Sequence, residues 1–160
     1  AISALDPPIG LGRGGSSPQT ASPTSTMMLL FLHVFANLLW VGGLLGMGLV
    51  LSGSGVSPRE RGSLALRLYF TLAVPGMLLS LAAGGARLVM GYQLFFVVTH
   101  FMHGKLLAGL VLLVLHHLLG GRAKRMAAGR SESAVGVKLM TVGVALAAAA
   151  ASILAVLKPF

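Results

Sequence analysis

The chain has 160 residues, of which 56% are apolar and 9% are charged, and its formal net charge is +9. So apolar a composition excludes an ordinary soluble domain of this size and indicates a membrane protein. The lack of cysteine excludes disulfides, iron–sulfur clusters and thiol chemistry. The acids are Asp6, Glu60 and Glu132, which leaves almost no room for a catalytic carboxylate pair or a carboxylate-rich metal site. The positive charge favours cytoplasmic loops and anionic lipid as its explanation, rather than nucleic acid.

Four apolar stretches predict transmembrane helices, because about 20 residues at a rise of about 1.5 Å cross the hydrocarbon of a bilayer. The segment before them, residues 1–26, is rich in Ser, Pro, Thr and Gly and predicts a flexible tail. Backbone groups must be paired within lipid, so the expected fold is all-α, an integral membrane four-helix bundle over residues 27–160. The four predicted helices cover residues 27–51, 67–90, 94–119 and 138–157.

The basic residues indicate how these helices are oriented. The loops after the first and third predicted helices hold most of them, with Arg59 and Arg61 in one loop and Lys124, Arg125 and Arg130 in the other. The positive-inside rule therefore places both loops in the cytoplasm and both termini outside. We expect a multi-pass protein of a bacterial-type inner membrane, with the lipid bilayer as a partner. A homo-oligomer or a larger membrane complex stays open.

All five histidines fall in the first and third predicted helices; they are His33, His100, His103, His116 and His117. Ionisable groups within a membrane are costly and usually mark a function, although hydrogen-bonded packing explains many single histidines. His33 lies about 9 Å by helical rise from the outer end of its helix. Because His100 and His103 enter from the same side, these rings can meet at a similar depth.

The first predicted helix also carries a stripe on one face. His33, Asn37, Trp40, Leu44 and Met47 recur at spacings of four and three residues. Glycines on the same helix, with Gly42 and Gly46 as a small-xxx-small pair, predict close approach to another helix or to a flat cofactor.

Imidazoles that face one another inside a membrane bundle favour haem iron, since axial His ligation and bundle cores are common for haem. His33 and His103 are the expected metal ligands. Lys105 could be a ligand, pair with a haem propionate or extend towards the membrane surface. Zinc is less natural without Cys and acidic ligands, while copper held by His and Met stays an alternative.

Several short motifs resemble a known family in their order and spacing. Helix one contains Leu32-His33-Val34 and Trp40-Val41-Gly42-Gly43-Leu44. Later come Arg67-Leu68-Tyr69, Pro75-Gly76-Met77, His103-Gly104-Lys105-Leu106, and His117 with Gly121-Arg122. Over roughly residues 30–132 the sequence is similar to HemJ-type protoporphyrinogen IX oxidases and to CopD-like membrane domains.

The resemblance implies a protein that binds haem b and oxidises protoporphyrinogen IX to protoporphyrin IX, passing the electrons to a respiratory partner. It implies catalytic roles for His33, His103 and Lys105. It also implies that Trp40 and His117, together with those three residues, bind the cofactor. Porphyrinogen would then be the substrate.

Two other functions stay open, so the sequence does not decide whether the protein is an enzyme. One is a non-catalytic haem-binding or structural subunit of a larger membrane complex. The other is copper handling, as for CopD-like domains. Arg67 and Arg122 are candidates for binding carboxylates on the cytoplasmic side, although the sequence favours anchoring of the solvated loops as the role of either residue.

Overall fold

The structure is a computed structural model that describes residues 23–98, 101–130 and 133–157. The described chain forms the helices α1 (Pro23–Ser52), α2 (Pro58–Leu68), α3 (Val74–Met90), α4 (Phe101–Ala127) and α5 (Val137–Leu157). A π-helical segment, Tyr69–Ala73, joins α2 and α3 into one continuous rod, and a second one, Gln93–Val98, precedes α4.

Four of these helical units are long and apolar enough to cross a membrane, with the α2–α3 rod counted as one. This confirms the predicted all-α four-helix membrane bundle. α1 packs chiefly along α3, while α4 lies against α5 and α2. The ends of α1 and α4 and the starts of α2 and α5 therefore lie at one end of the bundle, which we call the basic end because it carries most of the Lys and Arg residues.

The second predicted helix begins earlier than expected. Residues 52–66 had the composition of a loop, yet α2 begins at Pro58. Ser57 caps it, since the Glu60 N–H donates to Ser57 Oγ at 3.2 Å and the Ser57 N–H donates to Glu60 Oε2 at 3.0 Å. Such a capping box with proline in the first turn starts a helix at low cost. The predicted start at residue 67 is thus corrected to Pro58.

The third predicted helix extends further than expected. α4 continues beyond residue 119 to Ala127, so that Arg122, Lys124 and Arg125 lie on its last turns rather than in a loop. After Ala127 the chain turns away from the helix at Gly129, whose φ of 69° lies in the left-handed region that glycine adopts without strain.

The bounds of the first and last helices differ less from the prediction. α1 begins at Pro23, so the last four residues of the predicted tail are helical, while residues 1–22 lie outside the described part of the chain. The prediction for 138–157 coincides closely with α5, which starts one residue earlier at Val137.

Close packing of the helices in the interior depends on glycines as well as on large side chains. A Cβ added to Gly76 would lie 2.5 Å from the Trp40 backbone nitrogen, and one added to Gly43 would lie 2.9 Å from the Ala73 backbone nitrogen. The backbones of α1 and of the rod therefore touch at these two positions. Gly42, by contrast, has nothing within 4 Å of such a Cβ, so Gly43 provides the approach expected of the Gly42–Gly46 pair.

Candidate functional site

The stripe predicted on α1 faces the interior of the bundle. Trp40, Leu44 and Met47 are buried, while His33 and Asn37 are half-buried. The stripe divides into two polar clusters at different depths. We call the one around His33 the outer cluster and the one around His116 the inner cluster.

The outer cluster is a closed ring of hydrogen bonds between α1 and α3. His33 Nδ1–H donates to the Ser80 carbonyl oxygen at 2.9 Å, and Asn37 Nδ2–H donates to His33 Nε2 at 3.2 Å. The buried Ser80 hydroxyl donates to Asn37 Oδ1 at 2.8 Å and completes the ring. The spacing of four residues puts His33 and Asn37 on one face of α1. Because a carbonyl can only accept, Nδ1 carries the proton of the neutral ring and Nε2 keeps its lone pair.

A glycine makes room for the His33 ring. A Cβ on Gly84 would lie 2.8 Å from His33 Cε1, so a larger residue there would displace the imidazole. Lys105 of α4 and Arg87 of α3 both interact electrostatically with the ring. The outer cluster therefore consists of one imidazole, its two hydrogen-bond partners and two nearby cations.

The other predicted residues of this region take separate places. Lys105 is half-buried, and the exposed His103 ring packs edge-on against Phe96 with centroids 5.5 Å apart. The structure thus brings Lys105 towards His33 and places His103 beside the segment before α4. His100 lies outside the described residues. The pairing of His33 with His103 on one metal stays a prediction.

The inner cluster is built around His116, to which the family pattern gave no role. Its side chain is fully buried, and Trp40 Nε1–H donates to its Nδ1 at 3.2 Å. Tyr69 stacks at a tilt on the ring, with centroids 4.7 Å apart. His116 belongs to a buried stripe of α4 that also contains Leu112, Leu119 and Ala123, and this 4-3-4 spacing is the sequence signal that could have identified it.

The two histidines carry the proton of the neutral ring on different nitrogens. An indole N–H is a donor only, so His116 Nδ1 must accept, and the proton of the neutral ring is on Nε2. That Nε2–H is buried and has no hydrogen-bond partner among the described residues. A neutral imidazole binds a metal through a nitrogen lone pair. In both histidines that lone pair accepts a hydrogen bond of 3.2 Å, at His33 Nε2 from Asn37 and at His116 Nδ1 from Trp40, but the His33 ring is half-buried while the His116 ring is fully buried. Trp40, which the resemblance places at the cofactor, donates to His116, and its role in cofactor binding stays a prediction.

Two adjoining clefts lie at the basic end. The larger, of about 380 Å³, has mainly apolar and aromatic lining residues; the smaller, of about 150 Å³, has Lys124, Arg125 and Arg130 among its lining residues. The exposed His117, expected to bind the cofactor, lines the larger cleft rather than the interior. That cleft is lined by Leu66, Tyr69, Phe70, His117, Gly120, Gly121 and Lys124. The smaller one is lined by Gly121, Lys124, Arg125, Ala128 and Arg130.

The two arginines proposed as carboxylate ligands differ in their surroundings. Arg122 Nη2–H donates to the Val135 carbonyl oxygen at 3.0 Å and so ties the end of α4 to the segment before α5. This contact agrees with a loop anchor. Arg67 is exposed in the last turn of α2.

Comparison with protein-family models, with curated proteins and with solved structures finds no match. The similarity to HemJ-type and CopD-like proteins therefore rests on the short motifs alone. The residues of the two clusters carry the functional argument.

Proposed function

We propose that this protein binds haem b within the membrane and that the His33 imidazole would hold its iron. The observation that carries the proposal is the 2.9 Å hydrogen bond from His33 Nδ1–H to the Ser80 carbonyl oxygen. Metal-ligating histidines generally donate their second ring N–H to a carbonyl or carboxylate, which fixes the tautomer and orients the ring. His33 is held in this way, and its Nε2 lone pair meets only the Asn37 amide.

The donor set favours haem over the alternatives that the sequence left open. Among the described side chains, no three His, Cys, Asp or Glu converge as a site for a metal ion. A zinc site normally requires three or four such ligands, and copper sites commonly combine several imidazoles with sulfur ligands. Haem iron needs only one or two ligands from the protein, since the porphyrin supplies four.

The surroundings of His33 suit the other parts of a haem. Arg87 and Lys105 are the cations that act on the His33 ring, and either could pair with a propionate. His103 is the second residue that we propose would hold the iron. For Nε2 to reach iron, the Asn37 amide must turn away, while the bond to the Ser80 carbonyl can stay in place.

Bound haem would supply one-electron redox chemistry. The protein would contribute an oriented imidazole, nearby cations and an apolar environment. The resemblance extends the proposal to one activity, the oxidation of protoporphyrinogen IX, with electrons passing to a respiratory partner. Its support is the set of motifs around His33, His103 and Lys105.

We also propose the orientation with the basic end in the cytoplasm of a bacterial-type inner membrane. Its support is the positive-inside rule, applied to the cations near the ends of α1 and α4. The four apolar helical units establish only that the chain is built as a multi-pass membrane protein.

Absorption spectra of the purified protein, oxidised and reduced, test the haem proposal. We expect a Soret band and a reduced α band of b type after expression with ample haem. His33→Ala and His103→Ala should each abolish or strongly reduce them. His116→Ala is the matched control and should keep its haem, because that ring is fully buried in the core and its lone pair accepts from the Trp40 indole there.

Absence of these bands in the haem-replete wild type would refute the proposal and leave a structural role for the His33 ring. If the bands are present, complementation of a strain lacking protoporphyrinogen oxidase tests the activity. Haem binding without complementation would support the non-catalytic haem-binding subunit.

A further inference from the structure

We propose that the two clefts at the basic end form one binding site for an anionic phospholipid. Gly121 and Lys124 line both clefts, so the cleft lined by apolar and aromatic residues lies directly beside the one lined by cations. Neither cleft contains a residue of the outer cluster, and the proposal is independent of haem binding.

The C-terminal cap of α4 shapes the cationic cleft. The Gly129 N–H donates to the Met126 carbonyl at 3.0 Å, and the Arg130 N–H donates to the Arg125 carbonyl at 2.9 Å. This is the Schellman pattern, in which the chain turns back on the last helical turn through a residue of positive φ. It brings Arg130 beside Arg125 and Lys124.

The charge of this cleft has no counterpart in the described chain. No carboxylate forms an ion pair with Lys124, Arg125 or Arg130 among the residues that the structure describes. The end of a helix attracts cations, but its partial charge corresponds to only about half an elementary charge. The three exposed cations gathered there therefore form a positively charged surface that suits an anion.

The two clefts follow one another along α4 as the apolar acyl chain and the charged headgroup follow one another in a phospholipid. Going along α4 towards the basic end, His117 and Gly120 of the apolar cleft come first and Lys124 and Arg125 follow. His117 and Lys124 are seven residues apart, about 10 Å along the helix. An acyl chain can lie against Tyr69 and its neighbours while the phosphate meets the cations. Basic pockets between membrane helices are a known setting for anionic headgroups.

Native mass spectrometry of the full chain in detergent tests this site with two probes, phosphatidylglycerol and phosphatidylcholine. We expect wild-type protein to retain phosphatidylglycerol and to prefer it by at least about tenfold. Lys124→Gln/Arg130→Gln should lower that affinity by about tenfold or more, as expected for the loss of two cations. Arg59→Gln/Lys138→Gln is the matched control, because it removes the same charge from the same end outside both clefts.

A second variant tests the cleft without changing charge. A Cβ at Gly121 would meet nothing within 4 Å, so Gly121→Leu should fold normally and fill the junction of the two clefts. Gly109→Leu is its control, since Gly109 also has open space and lies on α4 away from the clefts. We expect only Gly121→Leu to lose the lipid.

Several results would overturn the assignment. Equal losses in the two charge-reduced variants would mean that only net charge matters. Unchanged binding in Gly121→Leu would show that the lipid lies elsewhere. Displacement of the lipid by inorganic phosphate at millimolar concentration would show that the clefts take a free phosphate group rather than a phospholipid.

Discussion

Trp40 Nε1–H donates to His116 Nδ1 at 3.2 Å and so joins α1 to α4 inside the bundle. These two helices share few other contacts. The bond also fixes where the ring proton lies and leaves Nε2–H buried without a partner in the part of the chain that the structure describes. One tryptophan thereby contributes to the packing of α4 and determines the tautomer of a buried histidine.

Removing this donor should destabilise the bundle. In Trp40→Phe the buried His116 Nδ1 loses its partner, which should cost about 1–3 kcal/mol beyond the loss of packing. His116→Leu should likewise leave the indole N–H unpaired. Because the double variant removes both polar groups, its loss should be smaller than the sum of the single losses. Thermal unfolding in detergent measures all three, and additive losses would contradict the bond.

The glycine contact between α1 and α3 leads to a second prediction. Gly76→Ala should force the helices apart, because its Cβ would lie 2.5 Å from the Trp40 backbone nitrogen. Overpacking of this kind costs about 1–3 kcal/mol, which should lower the unfolding temperature. Gly85→Ala, on the same helix with nothing within 4 Å, should be neutral or gain up to about 1 kcal/mol from helix propensity. Equal behaviour of the two variants would refute the proposed contact.

The start of α2 gives a third prediction. Ser57→Ala removes the hydroxyl that accepts from the Glu60 N–H and should cost about 1 kcal/mol. Ser63→Ala, on the same helix and exposed, should leave stability unchanged. Hydrogen exchange of the amides after Ser57 is the suitable measurement, since fraying of the first turn should speed exchange there. Slow exchange in both variants would mean that packing, rather than the cap, holds this helix end.

The fold was predictable because hydropathy and length alone decide which segments cross a bilayer. The helix ends were predicted less well, since local caps determine them. The Ser57–Glu60 capping box could have been recognised from the sequence, because Glu follows Ser at a spacing of three residues. The glycine pair Gly120–Gly121 resembled a loop, yet α4 continues through it to Ala127. Tyr69 packs where a Cβ of Gly120 would lie, so this glycine serves helix packing rather than a loop.

The candidate site was predictable only in part. The spacing of His33 and Asn37 placed both on one face of α1, but it could not show that Ser80 of α3 would meet them. That contact depends on which helices are neighbours, and periodicity within one helix does not contain this information. The resemblance gave weight to His117 over His116. The spacing within α4 could have marked His116 as buried, but its hydrogen bond to Trp40 depends on α1 and was not predictable.

The last prediction concerns Asn37 and rests on the proposed haem site. Asn37 occupies the His33 Nε2 that we assign to iron, through a bond of 3.2 Å. Asn37→Ala frees this nitrogen while the bond from Nδ1–H to the Ser80 carbonyl stays in place. A net hydrogen bond is worth about 1 kcal/mol, so haem should bind a few-fold more tightly. Titration of the haem-free protein with haemin measures the change.

Ser80→Ala provides the control for Asn37→Ala. It removes the hydroxyl that donates to Asn37 Oδ1 but keeps the carbonyl that orients His33, so haem affinity should change little. Weaker binding in Asn37→Ala, approaching that of His33→Ala, would mean that Asn37 supports the cofactor directly. The competition between Asn37 and iron for His33 Nε2 would then be wrong, even if haem is bound.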